Sequence, residues 1–131
     1  MIYQSDMTIP PQTPFDKRLR SEFTLPAGVI QRLAILFPPG CAGLVHLRIL
    51  HNEHQIWPST PEKSFIGDSM YAVFDESYHL PDAWNQIRVE GWNLDDSYEH
   101  HIWVWIAVLP QTETWTYESG SEELAQQLGV E

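Results

Sequence analysis

Prolines and glycines interrupt this sequence so often that few helices of ordinary length can form. The chain has 131 residues, and ten of them are proline and seven are glycine. The stretches between them are short and rich in β-branched and aromatic residues. Short strands separated by turn residues are typical of an all-β sandwich or barrel, whereas a βαβ fold needs a helix between successive strands. We therefore predict an all-β fold, an antiparallel β-sandwich of the jelly-roll type.

The alternation of apolar and polar residues shows which side chains should form the core. In Leu44–His51 and Gln86–Trp92 every second residue is apolar, and in His101–Leu109 both faces are apolar. A strand of the last kind lies in mid-sheet or offers one face to a partner. We expect 86–92 and 101–109 to pair as antiparallel neighbours across the 93–99 loop. The predicted core residues are Val45, Leu47, Ile49, Ile87, Val89, Ile102, Val104 and Ile106.

The two ends of the chain differ from this body. Residues 1–18 contain three prolines and show no period, so we expect an extended N-terminal arm that is disordered in a lone subunit. Residues 19–110 form the predicted sandwich, with a turn at Pro26-Ala27-Gly28. Residues 111–131 form a C-terminal extension, in which Ser121 can cap a short helix that Gly129 ends.

The composition excludes several classes of function. The formal charge of −11 disfavours binding to nucleic acid or to an anionic membrane surface. A single cysteine, Cys41, excludes an internal disulfide and a cysteine-based zinc cage, and we expect it to be buried. Neither a nucleophile elbow nor a phosphate-binding loop is present. We therefore predict no enzymatic activity, no catalytic residues and no cofactor.

Two polar segments are candidates for a metal site. In His51-Asn52-Glu53-His54 the histidines are three residues apart, which differs from the zinc-protease spacing of four. In the loop from Asn93 to Glu99 oxygen-bearing side chains alternate as in Ca²⁺ loops, but the glycine that makes the sharp turn is missing. We predict no metal site, while Ca²⁺ binding by this loop remains an open alternative.

The tryptophans are stronger functional candidates than the charged residues. The chain has six tryptophans, some of which must fill the core, and core packing is the alternative explanation for all of them. Aromatic side chains on a surface stack on sugar rings or anchor protein interfaces. The predicted interface residues are Trp92, Trp103 and Trp105 on the strands and Tyr3, Ile9 and Phe15 on the arm.

Several stretches of the sequence resemble small β-sandwich proteins of bacteriophage structural genes. The resemblance covers about residues 19–110 and lies in their overall pattern. It is carried by Phe23-Thr24-Leu25-Pro26-Ala27-Gly28, Phe37-Pro38-Pro39-Gly40-Cys41-Ala42-Gly43-Leu44, His54-Gln55-Ile56-Trp57-Pro58, Gly91-Trp92-Asn93-Leu94-Asp95-Asp96 and His101 to Pro110. It implies a virion component, such as a capsid decoration (cement) protein or a head–tail accessory protein, and it implies no catalytic residues.

The expected function is therefore that of a non-enzymatic structural protein. It would assemble as a homo-oligomer, and with capsid or tail subunits, through an apolar face that bears tryptophan and through its terminal arms. Its expected location is the virion, assembled in the host cytoplasm. The main alternative is a carbohydrate-binding β-sandwich module, and a minor one is a small hydrolase or metal enzyme that uses histidines.

Overall fold

The computed structural model describes residues 1–111, and the predicted all-β antiparallel class is confirmed. The strands of these residues are β1 (Ile2–Ile9), β2 (Leu19–Phe37), β3 (Val45–His51), β4 (His54–Trp57), β5 (Met70–Asn93) and β6 (His100–Pro110). They form one open antiparallel sheet in the order β1-β6-β2-β5-β3-β4. A 3₁₀ turn occupies Phe15–Lys17. No helix in the described residues is long and apolar enough to cross a membrane.

Two very long strands divide the sheet into halves. β2 has 19 residues and β5 has 24. The tryptophan half consists of β1, β6, residues 28–37 of β2 and residues 70–80 of β5. The arginine half consists of residues 19–26 of β2, residues 84–93 of β5, and strands β3 and β4.

The predicted turn at Pro26-Ala27-Gly28 is instead an irregularity inside β2. The register between β2 and β5 shifts between Pro26 and Gly28 and again between Ile30 and Arg32. Gly28 is needed here because a Cβ at this position would lie 2.2 Å from the backbone oxygen of Leu109. The glycine therefore admits the end of β6 to the sheet, and the strand continues beyond it.

Strand β1 of the tryptophan half also contacts the arginine half. The Ser5 hydroxyl on β1 hydrogen-bonds to the Ser21 hydroxyl on the first part of β2 at 2.9 Å. Met7 and Ile9 on β1 pack so closely on Gly91 of β5 that an added Cβ would lie 2.8 Å from the Met7 sulfur and 2.7 Å from the Ile9 Cδ1. Because β1 is separated from these segments in the order of strands, the contacts require the sheet to bend.

The predicted core is confirmed. Each of the eight residues named from the alternation is at most 2% exposed. They form one cluster with Leu25, Ile30, Leu33, Ile35 and Phe37 of β2, which draws on both halves. Period-two burial along β6, from His100 to Pro110, shows that the strand phase predicted there is right.

The assignment of residues 1–18 to an arm outside the sheet is corrected by the structure. Ile2–Ile9 forms the edge strand β1, paired with β6 along its whole length. The inward positions are Tyr3, Ser5, Met7 and Ile9. Because a serine occupies one of them and isoleucine occupies the exposed position 2, the apolar alternation that would reveal the strand is broken.

The predicted pairing of 86–92 with 101–109 is wrong. The 84–93 part of β5 pairs with β2 and β3, and β6 pairs with β1 and β2. The chain therefore crosses from one half of the sheet to the other between Asn93 and His100. The predicted C-terminal helix lies outside the described residues.

Candidate functional site

The outer surface of the tryptophan half carries a patch of aromatic and apolar side chains among the polar residues Gln4, Asp6, Arg32 and Asp75. We call it the tryptophan face, formed by Ile2, Ala34, Leu36, Tyr71, Val73, Trp103, Trp105 and Ala107. Alternation along β6 turns Trp103 and Trp105 away from the core, and the register places Trp105 between Gln4 and Ala34 and Trp103 between Asp6 and Leu36. Tyr71 of β5 lies opposite Leu36, and its ring is 6.0 Å from that of Trp105.

Several members of the tryptophan face expose large fractions of their side chains. Ile2 is 75% exposed, Tyr71 62% and Val73 44%. The indole N–H of Trp105 donates a hydrogen bond to the Gln4 side-chain oxygen at 3.1 Å. Because the polar atom of that indole is satisfied within the chain, its ring surface is available to an apolar partner without loss of a hydrogen bond.

A shallow groove crosses the tryptophan face beside Trp105. It has a volume of about 290 Å³ and is lined by Ile2, Arg32, Ala34, Tyr71, Trp105 and Ala107. Ala34 lies opposite Trp105 on β2 and Ala107 lies two residues farther along β6, and these small side chains leave space beside the indole. Arg32 forms an ion pair at 2.9 Å with Asp75, and both side chains are exposed.

A second cluster lies on the outer surface of the arginine half, around Glu90. Arg48 Nη2 lies 2.6 Å and Arg18 Nε 2.9 Å from Glu90 Oε1, while Arg20 Nε lies 3.2 Å from Oε2. Arg88 is farther away, with Nη1 3.9 Å from Oε2. Four of the five arginines of the chain therefore surround one carboxylate.

Glu90 is completely buried, so the electrostatics of this cluster depend on whether its carboxyl group is ionised. Burial alone would raise the pKa of the carboxyl, but hydrogen bonds and charges from Arg48 and Arg18 outweigh it and lower the pKa. Within residues 1–111, Oε2 lacks a hydrogen bond despite the nearby Arg20, because close approach alone does not give the required geometry. Glu90 therefore stays charged and anchors the arginines.

The arginine cluster also contacts the 3₁₀ turn that lies over it. Arg18 donates to the Phe15 backbone oxygen at 3.0 Å and lies over the Phe15 ring at 4.3 Å. Phe15 contacts Trp92 edge-on at 4.9 Å, and Trp92 stacks on His46 at 5.2 Å with the rings nearly parallel. Trp92 is only 9% exposed as a result, and burial lowers the pKa of His46.

A larger groove opens beside these rings. Its volume is about 520 Å³, and it is lined by Phe15, Arg48, Glu62, Lys63 and Trp92. Arg48 and Trp92 come from the sheet, whereas Phe15 comes from the 3₁₀ turn and Glu62 and Lys63 from the loop between β4 and β5. The groove thus combines aromatic walls with cationic groups. We call it the arginine groove.

The structure separates the six predicted interface residues. Trp103 and Trp105 lie on the tryptophan face, whereas Phe15 and Trp92 line the arginine groove. Ile9 is fully buried, so it cannot anchor the chain on a neighbour as predicted, whereas Tyr3 packs against the core and is partly buried. The sequence analysis missed Tyr71 and the arginine cluster, although the alternation along the strands puts Arg48, Arg88 and Glu90 opposite the apolar positions.

The histidine and loop candidates have partners within the chain. His51 is buried and contacts the Tyr78 hydroxyl at 2.8 Å and the Asn85 side-chain oxygen at 3.1 Å. The Asn93 side-chain oxygen accepts from the Asp95 backbone, and Asp95 accepts from Ser97. Among the described residues, no three histidine, cysteine or acidic side chains are grouped to hold a metal ion.

Cys41 is buried as predicted. Burial, with the negative charge of Asp68, raises the pKa of its thiol to about 11. The thiolate is therefore scarce at neutral pH, and the side chain acts as a packing residue.

Neither a protein-family model nor a curated protein matches this sequence.

Proposed function

We propose that this protein is a non-enzymatic structural component that assembles through its tryptophan face. The observation that carries the proposal is the aromatic and apolar surface around the half-buried Trp105, on which Ile2, Tyr71 and Val73 are exposed. Aromatic anchors surrounded by apolar contacts are the usual centre of a protein interface. The first partner is a second copy of the chain, giving a homo-oligomer.

The wider role that we propose is in a virion, where the protein would decorate or stabilise a capsid or tail. The two halves of the sheet would then serve as the layers of a jelly-roll-like sandwich, as the resemblance to phage structural proteins implies. Assembly in the host cytoplasm and contact with capsid or tail subunits belong to this proposal. Mass spectrometry of particles purified from cells that encode the protein should detect it in fixed proportion to the capsid subunit, and its absence from intact particles would contradict the virion role.

Sedimentation velocity of the full chain tests the assembly itself. Tyr71→Ala removes an exposed ring from the tryptophan face, and Tyr98→Ala removes a ring that is 70% exposed in the loop before β6. We expect the first variant to shift the sample toward monomer and the second to sediment like the wild type. A monomeric wild type at every concentration, or equal effects of the two variants, would contradict the proposal.

Carbohydrate binding is the second candidate for the same surface. The groove beside Trp105 supports it, because an indole wall next to the Arg32–Asp75 pair offers both stacking and hydrogen bonds to a sugar. Against it, Tyr71 and Trp105 are inclined by 76°, whereas a flat platform for several sugars needs parallel rings. Binding on a glycan array that is lost in Trp105→Ala would favour this candidate over self-assembly.

A further inference from the structure

We propose that the arginine groove binds an acidic peptide, and that its occupant is the chain's own C-terminal stretch, residues 112–131. This inference concerns the opposite half of the sheet from the tryptophan face. It does not depend on the proposed function.

Positive side chains gather around Glu90, next to the arginine groove. The chain has a formal charge of −11, yet four of its seven basic residues converge on Glu90. Glu90 balances one of these arginines, and Glu22 and Glu53 pair with Arg88 at 2.9 Å and 3.6 Å. Arg48 brings positive charge to the groove wall, where Lys63 adds another cation and Glu62 offsets it.

The groove places a guanidinium beside an aromatic ring. Arg48 keeps 18% of its side-chain surface exposed although it is hydrogen-bonded to Glu90 and Gln55, so its guanidinium is held in place at the groove wall. Phe15 is 42% exposed beside it, although Arg18 lies over its ring. A fixed guanidinium next to a half-exposed aromatic ring suits a peptide that carries both carboxylates and apolar side chains.

The sequence of the proposed occupant combines acidic and apolar residues. Residues 112–131 contain five glutamates and no lysine or arginine. They also contain Trp115, Tyr117, Leu124 and Leu128. The stretch therefore offers the groove the acidic and apolar groups that its lining complements.

The stretch is long enough to reach the groove of its own molecule. β6 ends at Pro110, which pairs with Gly28, and Arg20 lies eight residues before Gly28 on β2. Arg20 is opposite Glu90 on β5, which in turn is opposite Arg48 of the groove on β3. The path is therefore about 26 Å along β2, at about 3.3 Å per residue, and about 10 Å across two strand spacings, so roughly eleven residues of extended chain span it. Twenty residues follow Gln111, which is enough to cover this distance.

The test uses a spin label on the full chain. Gln126→Cys places the label within the stretch, and the buried Cys41 stays unlabelled. The indole N–H signal of Trp92 in the groove is compared with that of Trp105 on the other half. We expect a severalfold loss of the Trp92 signal while the Trp105 signal is retained, and recovery of Trp92 in about 1 M salt, where screening acts over about 3 Å.

Matched charge variants decide whether the docking is specific. Replacing Glu113, Glu118, Glu122 and Glu123 by glutamine should restore the Trp92 signal. The same change in net charge at the exposed residues Glu76, Asp82, Asp96 and Glu99, using the corresponding amides, should leave it weakened. In the groove, Lys63→Glu should restore the signal and Lys17→Glu, at the other lysine of the chain, should not.

Three results would overturn the proposal. They are equal loss of the Trp92 and Trp105 signals, no loss of either signal, and the same response to both charge variants. A sample that mixes spin-labelled protein with isotope-labelled, unmodified protein should show no loss at Trp92, because the occupant belongs to the same molecule. Loss in that sample would place the stretch on a neighbouring copy and refute the intramolecular assignment.

Discussion

Replacing Glu90 by glutamine keeps the shape of the side chain but removes the negative charge that holds the arginine cluster. Arg18 and Arg48 would then lack a charged partner. The new amide nitrogen can face the Arg20 guanidinium, and because both groups are hydrogen-bond donors they cannot bond to each other. Removing one partner of a buried ion pair costs about 3–5 kcal/mol. Because Arg18 and Arg48 keep 19% and 18% of their surface in water, we expect about 2–3 kcal/mol.

Urea unfolding at pH 7 measures this cost. For a protein of this size the denaturant slope is about 1–3 kcal/mol per molar urea, so the midpoint of Glu90→Gln should fall by about 0.7–3 M. Glu22→Gln is the matched control, since this glutamate is 42% exposed in its pair with Arg88. It should cost about 1 kcal/mol or less.

The pH dependence gives the same prediction an independent check. The pKa of Glu90 in the folded protein is below its ordinary value of 4.5. Its contribution to stability is therefore present above pH 4.5 and is lost as the pH falls through the lowered pKa. The difference in the free energy of unfolding between the wild type and Glu90→Gln should therefore shrink below pH 4.5. A difference under about 0.5 kcal/mol at pH 7, within the range of ordinary surface substitutions, or one that stays constant into acid, would refute this reasoning.

Further predictions concern the core and the strand edges. Val104→Ala should lower the free energy of unfolding by about 1–3 kcal/mol in chemical denaturation, because it opens a cavity in the buried cluster. Gly28→Ala should cost more than Val104→Ala in the same assay, since the new methyl group would meet the Leu109 oxygen at 2.2 Å. Deleting residues 1–9 should abolish cooperative thermal unfolding, because it removes β1 and the fully buried Ile9; a truncated chain that melts like the wild type would show that β1 is dispensable. Cys41 should react with a thiol reagent only after denaturation, as its burial and its pKa of about 11 require; rapid reaction of the folded protein would contradict its burial.

Alternation along individual strands was enough to predict the core. Val45, Leu47 and Ile49 on β3 and Ile102 and Val104 on β6 follow a clean period of two, and their burial depends on local pattern alone. The sequence analysis failed where a residue meets a distant part of the chain. Proline and glycine at 26 and 28 look like a turn until the approach of Leu109 is known.

The candidate site was less predictable for the same reason. Trp103 and Trp105 were placed on an outward face correctly, but their neighbour Tyr71 comes from β5 through pairing with β2. The arginine cluster draws on three strands and the 3₁₀ turn, and each strand by itself shows only an ordinary outward arginine. Register between distant strands is set by the packing of the whole sheet, so a single sequence does not reveal which charges meet.

The most direct measurement of assembly through the tryptophan face is fluorine NMR of the full chain labelled with 5-fluorotryptophan. The six tryptophans give separate probes, which single Trp→Phe variants assign. On dilution, the resonances of Trp103 and Trp105 should shift as the face becomes exposed, whereas those of the buried Trp57 and of Trp84, 71% exposed outside the face, should stay fixed. Resonances of Trp103 and Trp105 that are independent of concentration, or a dilution shift at Trp84 instead, would contradict assembly through this surface.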